Sequence, residues 1–430
     1  MSIRIKKFLA IFLSILLIAF NYKYSFANEN MELTAQNAIA IEAKTGKILF
    51  EHNSNEKLYP ASTTKVWTAY LVIKNVSDLN EVIEVKNDLS WVEPSSMFLK
   101  VGEKFTVRQL LEVLMLKSAN DVAVLLAEYV SGSVEEFAKL MNEEAKKIGC
   151  TGTNFVNPNG LPDDNHYSTA SDMALIAKEA IKSDVLREIA KTEYISLPAN
   201  DVYPYERQYT NSNKFLTGGK NIIYNGEEID VKYDIVDGLK TGYTSVAGRC
   251  LLSTATLDGT SIIVGVFNAK GDDVYVDSRK IIDYSLERYK TKLLIDKNSF
   301  KAEKNLNSKN QKIEGYIAED YVTVEDNLDT ENKKNYEYDV NFEEEIKLPV
   351  KKDSVIGEVE VKENGQKIDT IPVLASDDFE NSFTELKIGA LAVALFVVCL
   401  SFFKTCKNIV KNKREKRNRQ RHHAFFKRRR

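Results

Sequence analysis

The stretch "PASTTKVWTAYLVI" (Pro60–Ile73) sets a hydroxyl and an amine three residues apart, Ser62 and Lys65, ahead of Val66, Ala69, Tyr70 and Ile73 at helical spacing. The run reads as an amphipathic helix, and residues three apart on a helix share a face. Pro60 sits just before its start, where a missing N–H costs little. A lysine at its ordinary pKa is protonated and takes no proton. Burial and neighbouring positive charge lower that value, and a helix N-terminus adds partial positive charge. With a second lysine nearby, Lys65 suits the role of general base for attack by Ser62 on a carbonyl. Histidine chemistry competes poorly, because the chain has only four histidines. His422 and His423 fall in a basic tail. His52 lies in the polar "EHNSNEK", where exposure is expected, and His166 in the loop "NPNGLPDDNHYSTASD", where a structural role is expected. None has a second His or Cys at a zinc-ligand spacing, so no metal or other cofactor is expected. A serine nucleophile here needs a base other than histidine.

Ser-x-x-Lys is a weak pattern alone. Ser54–Lys57 matches too, but its neighbours are polar and no apolar helix follows. The strength comes from company. "KSANDVAVLLAEYV" supplies Ser118-Ala119-Asn120 at a loop–helix junction, and "DGLKTGYTSVAGRCLL" supplies Lys240-Thr241-Gly242 leading into a strand. In this order the three form the signature set of β-lactamases and penicillin-binding proteins. Lys44-Thr45-Gly46 precedes Ser62 and Ser308-Lys309-Asn310 lies in a second domain, so neither fits the order.

These residues need a scaffold. "NAIAIEAKTGKILFEH" reads as two strands around a Lys44-Thr45-Gly46 turn. Helical patterns follow at about 62–75, 107–130, 134–148 and 168–183, the last opened by Thr169 and Asp172 as in a capping box. "NIIYNGEEIDVKY" (Asn221–Tyr233) is a hairpin turning at Asn225-Gly226, and "CLLSTATLDGTSIIVGVFNA" another turning at Asp258-Gly259. A helical stretch at about 274–289 closes the unit. Strands at both ends with helices between them predict an α+β fold, an antiparallel sheet with a helical cluster, over residues 28–290. At 430 residues the chain has room for a second core, and short alternating runs with an Asn364-Gly365 turn predict a small all-β domain over 291–375.

Both ends of the chain speak to location. Residues 1–27 read as a signal peptide: Arg4, Lys6 and Lys7, an apolar run, then Ser25-Phe26-Ala27. After a linker over 376–387, "IGALAVALFVVCLSFF" (Ile388–Phe403) is uncharged, and Lys387 and Lys404 flank it as snorkelling residues. It is expected to be a single transmembrane helix. Residues 404–430 carry thirteen Lys or Arg against one Glu and are expected to form a basic cytoplasmic tail, leaving the catalytic domain outside the cytoplasm. The overall charge of −3, less +12 in the tail and +4 in residues 1–27, leaves −19 between them. Such a surface does not suit nucleic acid. Of four cysteines only Cys150 and Cys250 lie outside the membrane segment and its edge, room for one disulfide at most and no disulfide framework.

Over nearly all of residues 33–375 the chain resembles the D-alanyl-D-alanine carboxypeptidases, low-molecular-mass penicillin-binding proteins of the type-5 kind. The three motifs, "AIAIEAKTGKILFE", "NPNGLPDDNHYSTASDMALIA", "VDGLKTGYTSVAGRCLLSTA" and the β domain carry the likeness. The resemblance implies removal of the terminal D-alanine from peptidoglycan stem peptides, with β-lactams as inhibitors. It also implies roles: Ser62 as nucleophile, Lys65 as its base, Ser118 as proton relay, and Asn120 as hydrogen-bond partner of the substrate amide. Lys240 and Thr241 would hold the terminal carboxylate. The N–H groups of Ser62 and Tyr243 would form the oxyanion hole, and Gly242 would let the strand approach the ligand. Two features depart from the family. The hairpin Asn221–Tyr233 is extra, is expected beside the cleft, and bears on substrate size. The C-terminus reads as a span where an amphipathic surface helix is usual. Competing readings are a D,D-endopeptidase, a β-lactamase and a non-enzymatic β-lactam sensor. The E-x-x-L-N string of class A β-lactamases occurs only at Glu303–Asn307, beyond Lys240.

Overall fold

The computed structural model describes residues 31–306, 311–329, 334–380 and 382–427, so the signal-peptide expectation for residues 1–27 lies outside it. The chain divides into two compact units, Met1–Lys292 with Val322–Glu331, and Leu293–Tyr321 with Asn332–Arg430.

The first unit is built on a five-stranded antiparallel sheet of β1 (Asn37–Glu42), β2 (Ile48–His52), β3 (Val236–Thr244), β4 (Gly248–Leu257) and β5 (Thr260–Ala269), in the order β2-β1-β5-β4-β3. The first strand pairs with the last, Asn37 opposite Phe267. All six residues of β1 are buried, because both faces of the sheet are covered and each needs apolar side chains. Ile39 and Ile41 enter one core with the helices, while Ala38 and Ala40 enter the other. The first core holds α1 (Thr64–Asn75), α2 (Val107–Leu116), α3 (Asn120–Ser131), α4 (Val134–Lys147), α5 (Ala170–Ala180) and α6 (Asp184–Lys191). Trp67 is fully buried there, and its indole N–H donates to Met141 O at 3.0 Å. The second core holds α7 (Asp273–Arg288).

Three local readings change. The apolar periodicity over 107–130 is two helices, not one. A capping box of Thr106 and Gln109 opens α2, and the chain breaks over Lys117–Ala119, where Ser118 takes φ +64°. The first eight residues of α3 are all buried, so no stripe marks where one helix ends and the next begins. At α5, Thr169 Oγ1 accepts from Asp172 N at 3.0 Å, but the Asp172 carboxylate turns outward to Gly152 N and Thr153 Oγ1, each at 2.7 Å. Half the expected box is present. The hairpin is ordered, with strands Asn221–Tyr224 and Glu227–Asp230 around Asn225 (φ +53°) and Gly226 (φ +82°). Its contacts run to α7. Tyr224 and Tyr233 hydroxyls each donate to Asp283 at 2.6 Å, the Arg279 guanidinium lies over both rings, and Ile222 joins the second core. The first core holds Ser62's helix. The hairpin therefore braces α7, while Tyr233 N also donates to Phe215 O at 2.9 Å and Lys232 Nζ lies 3.6 Å from Glu193.

The second unit carries a five-stranded sheet of β6 (Ala302–Leu306), β7 (Gln311–Tyr316), β8 (Tyr336–Phe342), β9 (Val355–Glu363) and β10 (Gln366–Ala375), ordered β6-β7-β10-β9-β8. Asn364 and Gly365, both at positive φ, form its tightest turn. Ile313, Ile356, Val359 and Val373 fill its core. The chain closes with α8 (Ser382–Lys427), one helix through both the apolar stretch and the basic residues that follow. Within it Gly389–Arg417 is, by length and composition, the one helix among the described residues able to cross a membrane.

Candidate active site

A 3₁₀ turn, Ala61–Thr63, leads into α1. Thr63 closes it by donating its hydroxyl to Pro60 O at 2.6 Å. Ser62 therefore sits at the helix mouth and Lys65 one turn inside, where its side chain is wholly buried. Lys65 Nζ lies 3.0 Å from Ser62 Oγ, 2.7 Å from Asn120 Oδ1 and 2.6 Å from Asn159 O. Burial holds the Lys65 pKa well below the ordinary lysine value. The Lys240 charge pushes it further down, and the Asp121 carboxylate opposes them. A neutral amine has two N–H bonds and one lone pair. Asn120 Oδ1 and Asn159 O accept only. In the neutral form these two acceptors would take both N–H bonds, and the lone pair would face the Ser62 hydroxyl.

The Asn159 carbonyl comes from a loop held by its own side chains. Asn157 Oδ1 accepts from Gly160 N at 2.8 Å, and Asn159 Oδ1 from Leu161 N at 3.1 Å. Thr68 in α1 donates to Pro158 O at 2.6 Å. Gly160 has φ +80°, and a Cβ there would lie 1.8 Å from Ala61 O, so only glycine fits against the turn that carries Ser62. His166 completes the support. Its Nδ1 accepts from Val156 N at 3.2 Å, which leaves Nε2–H to donate to Thr64 Oγ1 at 3.0 Å. Burial pushes its pKa down to about 4, so it stands neutral as a structural residue. His52, expected to be exposed, ends β2 half-buried.

Ser118 occupies the break between α2 and α3, with a buried hydroxyl that has no hydrogen-bond partner. Asn120 begins α3 and is 3 % exposed. On the sheet side, Lys240 is buried in β3 and donates to Thr241 O at 3.1 Å. Burial lowers its pKa to about 7. Thr241 Oγ1 shares a hydrogen bond with Ser212 Oγ at 2.7 Å. At Gly242 a Cβ would approach Ser62 N to 3.0 Å and Ala61 Cβ to 3.1 Å, so the missing side chain lets the strand lie against the Ser62 turn. Tyr243 is exposed, with the Arg249 guanidinium 4.7 Å from its ring centre.

Ser62, Lys65 and Asn120 are thus joined by direct hydrogen bonds, Lys240 acts on Lys65 through its charge, and Gly242 touches the Ser62 turn. The Ser54 hydroxyl is spent on Glu51 at 2.8 Å, and Lys44-Thr45-Gly46 is a turn bound to the Glu42 carboxylate. Sequence reasoning missed Asn159, whose main-chain oxygen carries no side-chain signature, and Asp121. The only available signal for the loop was the Asn-Pro-Asn-Gly turn chemistry. Cys150 and Cys250 are both buried free thiols. Among the described residues no cluster of His, Cys, Asp or Glu suited to a metal occurs.

Comparison with known proteins places this geometry in context. Residues 24–271 match the family described as D-alanyl-D-alanine carboxypeptidase, and residues 289–381 match the penicillin-binding protein 5 C-terminal domain. D-alanyl-D-alanine carboxypeptidase DacF of Bacillus subtilis is 30% identical over 353 residues, covering 81% of this chain and 86% of that protein. DacC of Escherichia coli is 30% identical over 356 residues, 80% of this chain and 83% of that one. The crystal structure of penicillin binding protein 5 from Haemophilus influenzae superposes with a TM-score of 0.61 at 25% identity, over 82% of this chain and 99% of that chain.

Proposed function

The chain belongs to the D-alanyl-D-alanine carboxypeptidase family, serine-type hydrolases, and on that premise we propose that it removes the terminal D-alanine from peptidoglycan stem pentapeptides through an acyl-enzyme on Ser62. The observation that carries this reading is the environment of Lys65: buried, depressed in pKa, 3.0 Å from Ser62 Oγ, and held by the acceptors Asn120 Oδ1 and Asn159 O. Lys65 takes the Ser62 proton as Oγ attacks the penultimate D-alanine carbonyl. The N–H groups of Ser62 and Tyr243 receive the negative charge that develops on the carbonyl oxygen. The C–N bond breaks, the proton passes by Ser118 to the departing amine, and an ester on Ser62 remains. Water then adds to the ester carbonyl, the bond from that carbon to Ser62 Oγ breaks, the shortened peptide leaves with a new terminal carboxylate, and Ser62 regains its proton. Asn120 holds the substrate amide, and Lys240 with Thr241 holds the terminal carboxylate. A β-lactam acylates the same oxygen, which makes the enzyme penicillin-sensitive. The catalytic unit works outside the cytoplasm, tethered to the membrane by the apolar part of α8 with the basic end inside.

The test is incubation with a pentapeptide ending in D-Ala-D-Ala, reading free D-alanine, together with intact-protein mass after penicillin. Wild type is expected to release D-alanine and gain one penicilloyl mass, and Ser62→Ala to do neither. Release that survives in Ser62→Ala overturns the assignment.

A further inference from the structure

The loop before α2 is tied to the proposed active site through its backbone. Ser95 O accepts from Asn120 N at 2.7 Å, and Ser95 Oγ donates to Lys117 O at 3.1 Å. The next turn is held by the Asp121 carboxylate, which is fully buried beside Asn120. It accepts from Ser96 Oγ at 2.6 Å, Met97 N at 2.9 Å and Leu99 N at 3.0 Å. A buried carboxylate with this many donors is a fixed point. Ser95–Leu99 is thus a rigid strap over the start of α3.

Met97 and Leu99 point inward, 2 % and 3 % exposed. Phe98 between them is 58 % exposed and holds φ +59°. A bulky aromatic residue in the left-handed region is an outlier that glycine or asparagine would relieve. Burial of the ring does not offset the strain, because the ring is not buried. Strain of this kind, held by surrounding hydrogen bonds next to a reactive centre, is a mark of functional positioning. The strap fixes where the ring goes, and the ring lacks an apolar neighbour that covers it.

We propose that Phe98 is a specificity-determining residue that packs against the aliphatic side chain of the stem-peptide residue immediately before the D-Ala-D-Ala pair. The proposal rests on the carboxypeptidase reading above. In that reading the terminal carboxylate lies at Lys240 and Thr241, and the substrate amide at Asn120. The stem therefore leaves the site past Asn120, the residue whose N–H holds the strap. Water-exposed aromatic area there gains by covering an alkyl chain, and a loop on a rigid scaffold is a common seat for such selection.

The experiment compares acetyl-norleucyl-D-Ala-D-Ala with acetyl-glycyl-D-Ala-D-Ala in wild type, Phe98→Gly and Phe98→Asn, reading released D-alanine and the rate of penicillin acylation. Both substitutions suit a positive φ and are expected to leave Tm unchanged or raised. Wild type is expected to prefer the norleucyl peptide. Both variants are expected to lose about tenfold or more in kcat/KM for that peptide, in the range for lost alkyl contact. Turnover of the glycyl peptide and penicillin acylation are expected to stay within about twofold. Equal losses on both peptides would show that the strap only supports Asn120, and no loss on either would show that the ring is idle. Either result overturns the proposal. A wild type that takes up penicillin yet frees D-alanine from neither peptide overturns the carboxypeptidase reading and this assignment with it.

Discussion

Two lysines divide the work of charge at the residue scale. In the proposed mechanism Lys65 is the base, a role that requires it to be kept from its ordinary protonation. Lys65→Arg retains a cation of similar length that does not deprotonate. Acylation by penicillin is expected to fall on the order of 10²-fold or more, measured by the rate of adduct formation in intact-protein mass. Lys240 has a cost that is visible in stability. Its pKa is lowered from 10.5 to about 7 by burial, so the folded state releases a proton that the unfolded state keeps between those values. The penalty is absent above about pH 10.5, grows as pH falls, and is complete below about 7. Lys240→Met is therefore expected to raise Tm at pH 7 and to lose that advantage toward pH 10, while D-alanine release collapses. Thermal melts across that range check it, and a pH-independent gain would mean that packing, not charge, sets the difference. Ser62, Lys65 and Asn120 were legible in the sequence because this chemistry restricts residue type and spacing. Asn159 was not, because its contribution is a main-chain oxygen that any residue could supply.

Single glycines and polar caps set the geometry of whole elements. Gly160 allows the Asn157–Leu161 loop to lie against the 3₁₀ turn, and a methyl group there would overlap Ala61 O. Gly160→Ala is expected to cost roughly 2 kcal/mol or more and to slow acylation, since Asn159 O would leave Lys65. Urea unfolding and adduct formation measure the two effects, and a variant with normal values of both would show that the loop yields freely. The strands and most helices were legible from periodicity and turn residues. The break at Ser118 was hidden because α3 is buried all round at its start and carries no stripe of its own. The hairpin after Gly219 was correctly expected as a hairpin, but its bracing of α7 was not: nothing in its alternation reveals that Tyr224 and Tyr233 seek Asp283. Partners distant in sequence decide where an element docks.

At the scale of the whole molecule, the two folded units and α8 make separate contributions. Val350 and Phe379 exchange backbone hydrogen bonds at 2.9 and 2.8 Å, so the second unit is complete by about residue 380. A chain ended after Glu380 is expected to be soluble and to release D-alanine at the rate of the full protein. Ultracentrifugation of membranes with an activity assay checks both points. A truncated protein that still sediments with membranes would place the anchor elsewhere. The small β domain was legible as a change of texture after residue 291. The return of Val322–Glu331 to the first unit was not, since it depends on tertiary pairing and leaves the local strand pattern unchanged.

The pairing of β1 with β5 has a consequence for how the protein comes into being. Asn37 and Phe267 are neighbours in the sheet but 230 positions apart in the chain. β1 with β2, and the helices from Thr64 to Lys191, can form from contacts close in sequence. The central seam of the sheet forms only when Thr260–Ala269 reaches β1. Contacts of such long range are slow to close, and until then an apolar strand stands with one edge unpaired, open to association with other chains. The Ser62 turn also rests against Gly242 of a strand far along the chain, so the setting proposed for its hydroxyl is complete only once that strand has joined the sheet.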